Sequence, residues 1–207
     1  MSKNENNDDC SIAGKVIFFA TGNIHKFNEA KSILRPLGYA LAMLKMKGDE
    51  IQSENIQYIA QVAVINAYRR SHLPIFVEDA GLFIEALEGF PGPYAAYAYK
   101  TIHNSGVLKL MGNLANRRAK FQSAVAYLDQ NQIEPKIFMG ECSGTITQTE
   151  RVEQGKSGFG FDPIFQPKGS SKTFAEMAVQ EKNVYSHRAA AIRKFAAWHQ
   201  KRLTTGK

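Results

Sequence analysis

Apolar residues follow two rhythms in the first half of the chain. Val16 to Ala20 is an unbroken apolar run that stops at Thr21-Gly22-Asn23. A short run of that kind, bounded by turn residues, reads as a buried strand. Phe27, Ala30, Ile33, Leu34 and Leu37 then recur at helical spacing, and Pro36 with Gly38 ends the pattern. "YALAMLKM" (39–46) returns to strand character, and "KGDEIQSEN" is a polar loop. Ile56, Ile59, Ala60, Ala63 and Ala67 make the apolar face of a second helix ending near Arg70. "LPIFVED" (73–79) is a short buried strand, and "GLFIEAL" resumes extended character. Strand, helix, strand, helix, strand predicts an α/β sheet.

The middle of the chain changes style. "GFPGPY" (89–94) is a rigid turn by its Gly and Pro content. Two short helices are predicted, around 94–101 and 104–112. In "AKFQSAVAYLD", Phe121, Ser123, Val125 and Tyr127 alternate with residues on the other face, and "KIFMGECSGTITQT" is again strand-like. These two segments are expected to pair antiparallel, which makes the sheet mixed. "EQGKSGFGFDP" is a Gly-rich loop. A last helix is predicted from about Ser186, with Ala189, Ile192, Phe195, Ala196 and His199 on one face. No repeat or long Pro/Gly/Ser linker divides the 207 residues. The expected organisation is a disordered lead (1–14), one domain of two lobes (15–203) and a short tail (204–207).

Composition removes some classes. No apolar run approaches the ~20 residues of a membrane span. "MSKNENNDDCSIAG" lacks the apolar stretch of a signal peptide. Cys10 and Cys142 fit no metal or disulfide framework, so a cytoplasmic protein is expected. The net charge of +7 invites a nucleic-acid reading. Yet six Lys or Arg and no Asp or Glu lie between Ser186 and Lys207, so the excess is concentrated at the C-terminus. That distribution favours a solvated basic tail over a nucleic-acid surface, and no specific nucleic-acid partner is expected.

Four segments carry candidate chemistry. A strand that stops at "TGN" and starts a helix exposes backbone N–H groups that favour a phosphate. Asn23 can cap that helix and Lys26 adds a point charge. Glu78-Asp79 ends the apolar run "PIFV", and alternation sends one of the two side chains toward a cleft at the strand end. A carboxylate there suits Mg²⁺, with Glu50 at the corresponding edge as the second. In "SGFGFDP" (157–163), Gly158 and Gly160 allow close backbone approach, and Phe159 or Phe161 offers a ring for a base to stack on. Core filling is the alternative, and for Phe161 it is the preferred reading. In "EKNVYSHRAA" (181–190), Ser186 is a good N-cap, yet His187 and Arg188 stand in the first turn, where the macrodipole disfavours cations. A functional site is expected where a local rule is broken in this way, the alternative being an exposed helix start with indifferent charges.

Taken together, "TGNIHK", "DEIQ", "VEDAG", "GFPGPY", "FGFDPIF", "TFAEM" and "EKNVYSHR", in that order, resemble the inosine triphosphate pyrophosphatase family. The resemblance covers roughly residues 15 to 203. It implies an α/β fold with a long twisted mixed sheet, two lobes, a deep cleft and a homodimer. It also implies Mg²⁺-dependent cleavage of ITP, dITP and XTP to the monophosphate and pyrophosphate. Carried over by motif, Thr21, Gly22, Asn23 and Lys26 bind the phosphates. Glu50 and Asp79 hold the metal, and Asp79 accepts the water proton. Ala80, Phe159, Gly160, Phe161, Asp162 and Lys182 contact the substrate, with Phe159 stacking on the base, and His187 and Arg188 read the base. The chain departs from the pattern twice. Ala80 stands where many members have Ser or Thr, and Ala95 and Ala96 stand where many carry Lys or Arg, with Lys100 further on. Two other readings compete: a pyrophosphatase for modified pyrimidine nucleotides, and a non-catalytic nucleotide or nucleic-acid binding module.

Overall fold

The computed structural model describes residues 15–46, 51–153 and 158–205. Among them, seven strands form one mixed sheet in the order β2-β1-β3-β5-β6-β7, with β4 beside β3. β1 (Val16–Ala20) runs parallel to β2 (Ala40–Leu44) and to β3 (Ile75–Ile84). β4 (Pro91–Gly92), β5 (Arg118–Leu128), β6 (Lys136–Ile146) and β7 (Phe165–Pro167) join by antiparallel pairing. The mixed α/β sheet expected from the sequence is the one observed. "LPIFVED" and "GLFIEAL" are halves of a single ten-residue strand, β3. Its first half pairs with β1 and its second with β4, while β5 follows it throughout.

Capping fixes where the helices begin. Asn23 accepts from the amides of His25 and Lys26 and starts α1 (Ile24–Leu34). Asn55 does the same for α2 (Ile56–Ser71), and the Ser186 hydroxyl starts α5 (His187–Thr204) by accepting from the Ala189 amide. α3 (Ala95–Met111) breaks at His103 (φ 56°, ψ −171°) into two helical pieces, as the two short helices read from the sequence require. α4 (Val179–Tyr185) has no counterpart in the sequence reading. It is under two turns long, too short for a clear apolar stripe.

The helices cover the sheet unequally. α1 and α5 pack on one face, over Ile17, Phe19, Phe76, Val125 and Tyr127. α2 covers the opposite face through Ala60, Val64 and Ala67 against Val77, Ala124 and Ala126. A further cluster, built on Leu82, Phe121, Phe165 and Phe174, closes the far end. α5 reaches the sheet at a residue without a side chain. A Cβ at Gly140 would lie 2.0 Å from the carbonyl oxygen of His187. That contact sets the depth at which the first turn of α5 enters the protein.

Gly140→Ala is therefore expected to push α5 off β6 and to cost about 1–3 kcal/mol by overpacking. Urea unfolding monitored by the Trp198 fluorescence checks this; an unchanged midpoint would mean that the helix shifts without strain.

Candidate active site

The site lies where the end of β1 and the middle of β3 meet α1, α4, the start of α5 and the loop before β7. The acidic pair Glu78-Asp79, expected at a strand end, sits inside the ten-residue β3 because the strand continues past it along β5. In the first turn, the Asn23 amide donates to the Thr21 hydroxyl at 3.1 Å, which holds the turn closed. Asn23 itself occupies the amides of His25 and Lys26. The amides of Gly22 and Ile24 have no protein partner among the described residues. The phosphate-binding capacity expected of this turn thus rests on two N–H groups, not on the whole first turn.

Lys26 is not free in solvent. Its Nζ lies 3.0 Å from Glu78 Oε2 and donates to the Glu78 carbonyl at 3.1 Å, at the peptide that leads into Asp79. Strand alternation separates the two acids as expected. Glu78 turns inward with a side chain closed to solvent, and Asp79 is half-buried. The Ser123 hydroxyl donates to Glu78 Oε1 at 2.6 Å, and Arg188 Nε stands 3.1 Å from the same oxygen. Burial by itself raises the Glu78 carboxyl. Arg188, then Lys26 and the Ser123 hydroxyl, outweigh it and hold Glu78 ionised far below the usual carboxylate range.

Arg188 continues the chain of charges. Its Nη1 donates to Glu29, whose other oxygen accepts from Lys182 Nζ at 2.7 Å. Lys182 Nζ also donates to Asp162 at 2.6 Å. Burial works against the ionised Glu29, yet Arg188 and Lys182 pull its carboxyl down to about 2. Lys182 stays charged because Asp162 and Glu29 overcome its own burial. Asp162 moves the other way: burial, helped by the nearby Glu29, raises it despite Lys182. Lys26, Arg188 and Lys182 thus alternate with Glu78, Glu29 and Asp162, and the formal charges cancel. Buried ions persist only when paired in this way.

His187 sits beside this network, flat on Phe121, with ring centroids 4.6 Å apart and planes 10° apart. Its burial, and then Arg188, push the imidazole well below its ordinary pKa, so the ring is neutral. Its buried Nδ1 has no hydrogen-bond partner among the described residues. Phe161 lies in the core against the edge of Tyr99, as the core-filling reading expects. Phe159 is only half-buried, and Gly160 beside it takes φ 55°. Ala80 follows Asp79 on β3. Glu50 lies outside the described residues.

The structure therefore gathers Lys26, Asp162, Lys182 and Arg188 into one network and sets Asp79 beside Glu78. It also shows that Arg188 and Lys182 spend several of their donors on the protein. Two members of the network went unremarked in the sequence, although both left a trace. Glu29 stands four residues before Ile33, inside the apolar stripe of α1. Ser123 is the polar residue in the Phe121, Val125, Tyr127 row of β5. A separate cavity of about 840 Å³ opens at the other end of the sheet, lined by Lys120, Glu141, Thr145 and Lys168. Its ion pair, Lys120 to Glu141, is half-exposed, and none of the network residues reaches it. The perturbed, buried groups make the network end the better site.

The network also fixes the acid response. Folded Glu29 titrates near 2 against an ordinary value of 4.5, so its contribution is fully present above about pH 4.5. It is lost as pH falls toward 2, and Glu78 acts in the same direction. Stability measured by urea unfolding is expected to fall steeply across that window, and Glu29→Gln to flatten the slope. An identical slope in the variant would show that Glu29 is not held ionised by its partners.

Comparison with known proteins gives the family. Residues 17–198 match the model of the Ham1 family. The dITP/XTP pyrophosphatase of Hyperthermus butylicus is 46% identical over 187 residues, covering 90% of this chain and 96% of that protein. That of Methanopyrus kandleri is 45% identical, covering 89% and 96%. Among solved structures, the Ham1 protein of Staphylococcus aureus superimposes with a TM-score of 0.76 at 29% identity, covering 90% of this chain and 99% of that one. The HAM1 protein of Coxiella burnetii gives 0.77 at 28%, with the same coverage. A match that runs from β1 to the middle of α5, with relatives aligned over nearly their whole length, makes this chain a member of the Ham1 family.

Proposed function

We propose that this chain is a dITP/XTP pyrophosphatase, hydrolysing non-standard purine nucleoside triphosphates to the monophosphate and pyrophosphate. The observation that carries the reading is the single ion network that ties the phosphate turn of α1 to the nucleoside elements at Asp162, Lys182 and Arg188. One rigid unit then holds both ends of a nucleotide. Cleavage of an α–β anhydride needs in-line positioning and charge neutralisation more than covalent chemistry.

In this reading the Gly22 and Ile24 amides and Lys26 receive the phosphates. Asp79, half-buried on β3 next to the Lys26 contact, accepts the proton of the attacking water. Glu50 and Asp79 would hold Mg²⁺. When bound, the ion neutralises phosphate charge and acidifies water. Hard carboxylate oxygen suits it, and Mg²⁺ takes one or two carboxylates with the rest from substrate and water. Phe159 offers its ring to the base. His187 Nδ1 and Arg188 Nε lack a hydrogen-bond partner among the described residues, although Arg188 Nε stands 3.1 Å from Glu78, and a 6-oxo group can accept from the donors of these two side chains. Adenine presents an amino donor at that position and would leave them unsatisfied.

A cytoplasmic location fits the nucleotide substrate, the buried free Cys142 and the lack, among the described residues, of a helix long and apolar enough to cross a membrane. Self-association as a homodimer is favoured by the aromatic side chains exposed at the start of α3, Phe90, Tyr94 and Tyr97.

The test is product analysis with Mg²⁺ across ITP, XTP, dITP, GTP, ATP and TTP. Fast conversion of ITP and XTP to monophosphate and pyrophosphate, with slow GTP, ATP and TTP, is expected. Orthophosphate and diphosphate as products would overturn the cleavage position. Asp79→Asn is expected to lose at least about 100-fold in kcat, the size of a general-base effect, with nucleotide binding retained. A rate near wild type would remove Asp79 from the chemistry.

A further inference from the structure

His25 stands in the first turn of α1, between the phosphate turn and Lys26. Its backbone amide is fixed by Asn23 at 3.0 Å, but its side chain is exposed. The imidazole leaves its own helix and lies on the ring of Phe159, with centroids 5.0 Å apart and planes at 25°. Among the described residues this ring contact is the side chain's one specific interaction. Phe159 comes from the Gly-bounded loop on the opposite side of the site, next to Gly160 at φ 55°. The stack therefore bridges the phosphate side and the nucleoside side without involving the ion network.

The spacing has a steric consequence. A third ring between two others needs about 7 Å, twice the contact distance of carbon atoms. The His25–Phe159 separation is shorter, so a base and the imidazole exclude each other from that face of Phe159. We infer that His25 is an affinity-determining residue, competing with the substrate base for the Phe159 ring and swinging away when a purine nucleotide binds. This rests on the pyrophosphatase reading above and adds a role for a residue that reading does not use. The competing stack is the same for every base. Its removal must therefore act on all nucleotides alike and leave the discrimination by His187 and Arg188 untouched.

Two measurements test the competition. In His25→Ala, KM is expected to fall roughly two- to ten-fold, the worth of one aromatic pair, with kcat held and the ITP-to-ATP ratio of kcat/KM unchanged. Damage to α1 would instead raise KM or lower kcat. His25→Phe, which keeps a ring there, is expected to restore the wild-type KM. The second readout needs no turnover. NMR of the His25 ring protons, shielded by Phe159, is followed during titration with inosine monophosphate. The signals are expected to move to the position they hold in Phe159→Ala. Turnover of ITP with unmoved ring signals, or with an unchanged or higher KM in His25→Ala, overturns the competition and leaves the pyrophosphatase reading standing. A wild-type protein that releases no pyrophosphate from any nucleotide overturns that reading and the competition with it.

Discussion

Arg188 is buried between two carboxylates from different elements, Glu29 of α1 and Glu78 of β3. A guanidinium in that position cannot lose its proton and cannot reach water. It must be matched by acids, and each acid must in turn be matched. Glu78 takes Lys26 and the Ser123 hydroxyl, and Glu29 takes Lys182, which takes Asp162. The sheet, α1, α4, α5 and the loop before β7 are thereby held in register by charge. Removing a single member would leave an uncompensated ion, which costs more than the pair itself contributes. A replacement such as Arg188→Ala therefore reports on folding before it reports on base recognition.

The same constraint explains the unusual start of α5. Cations in a first helical turn oppose the macrodipole. Arg188 is compensated by two carboxylates, and His187 escapes the penalty by remaining neutral on Phe121. Gly140 lets this turn approach the sheet closely enough for both. The network spends charge on position: His187 Nδ1, without a hydrogen-bond partner among the described residues, belongs to a ring held flat on Phe121.

How much of this was legible in the chain depends on range. Local patterns gave β1, α1, α2, the β5–β6 pair, the break in α3 and the start of α5, because apolar period and capping residues act within a few positions. They divided β3 in two, since its acidic pair interrupts the apolar run although β5 pairs along its whole length. α4 lacked the length to show a period. For the site, the motifs marked Lys26, Asp79, Lys182 and Arg188 individually. What could not be read was that Lys26, Lys182 and Arg188 are paired with protein acids. Glu29 and Lys182 are 153 positions apart, and no local pattern joins them. Glu29 appeared only as a polar residue in the apolar stripe of α1, and Glu78 and Asp162 were marked without their cationic partners.

The central claim is that these charges act as one coupled unit that supports the nucleotide site. It is tested most directly by a double-mutant cycle on Glu29→Gln and Lys182→Gln, read both in urea unfolding and in kcat/KM for ITP. Coupling predicts that the double variant is better than the sum of the single losses by more than about 1 kcal/mol on both scales. Effects that add within about 0.5 kcal/mol would contradict it, and would reduce the network to independent surface-like pairs.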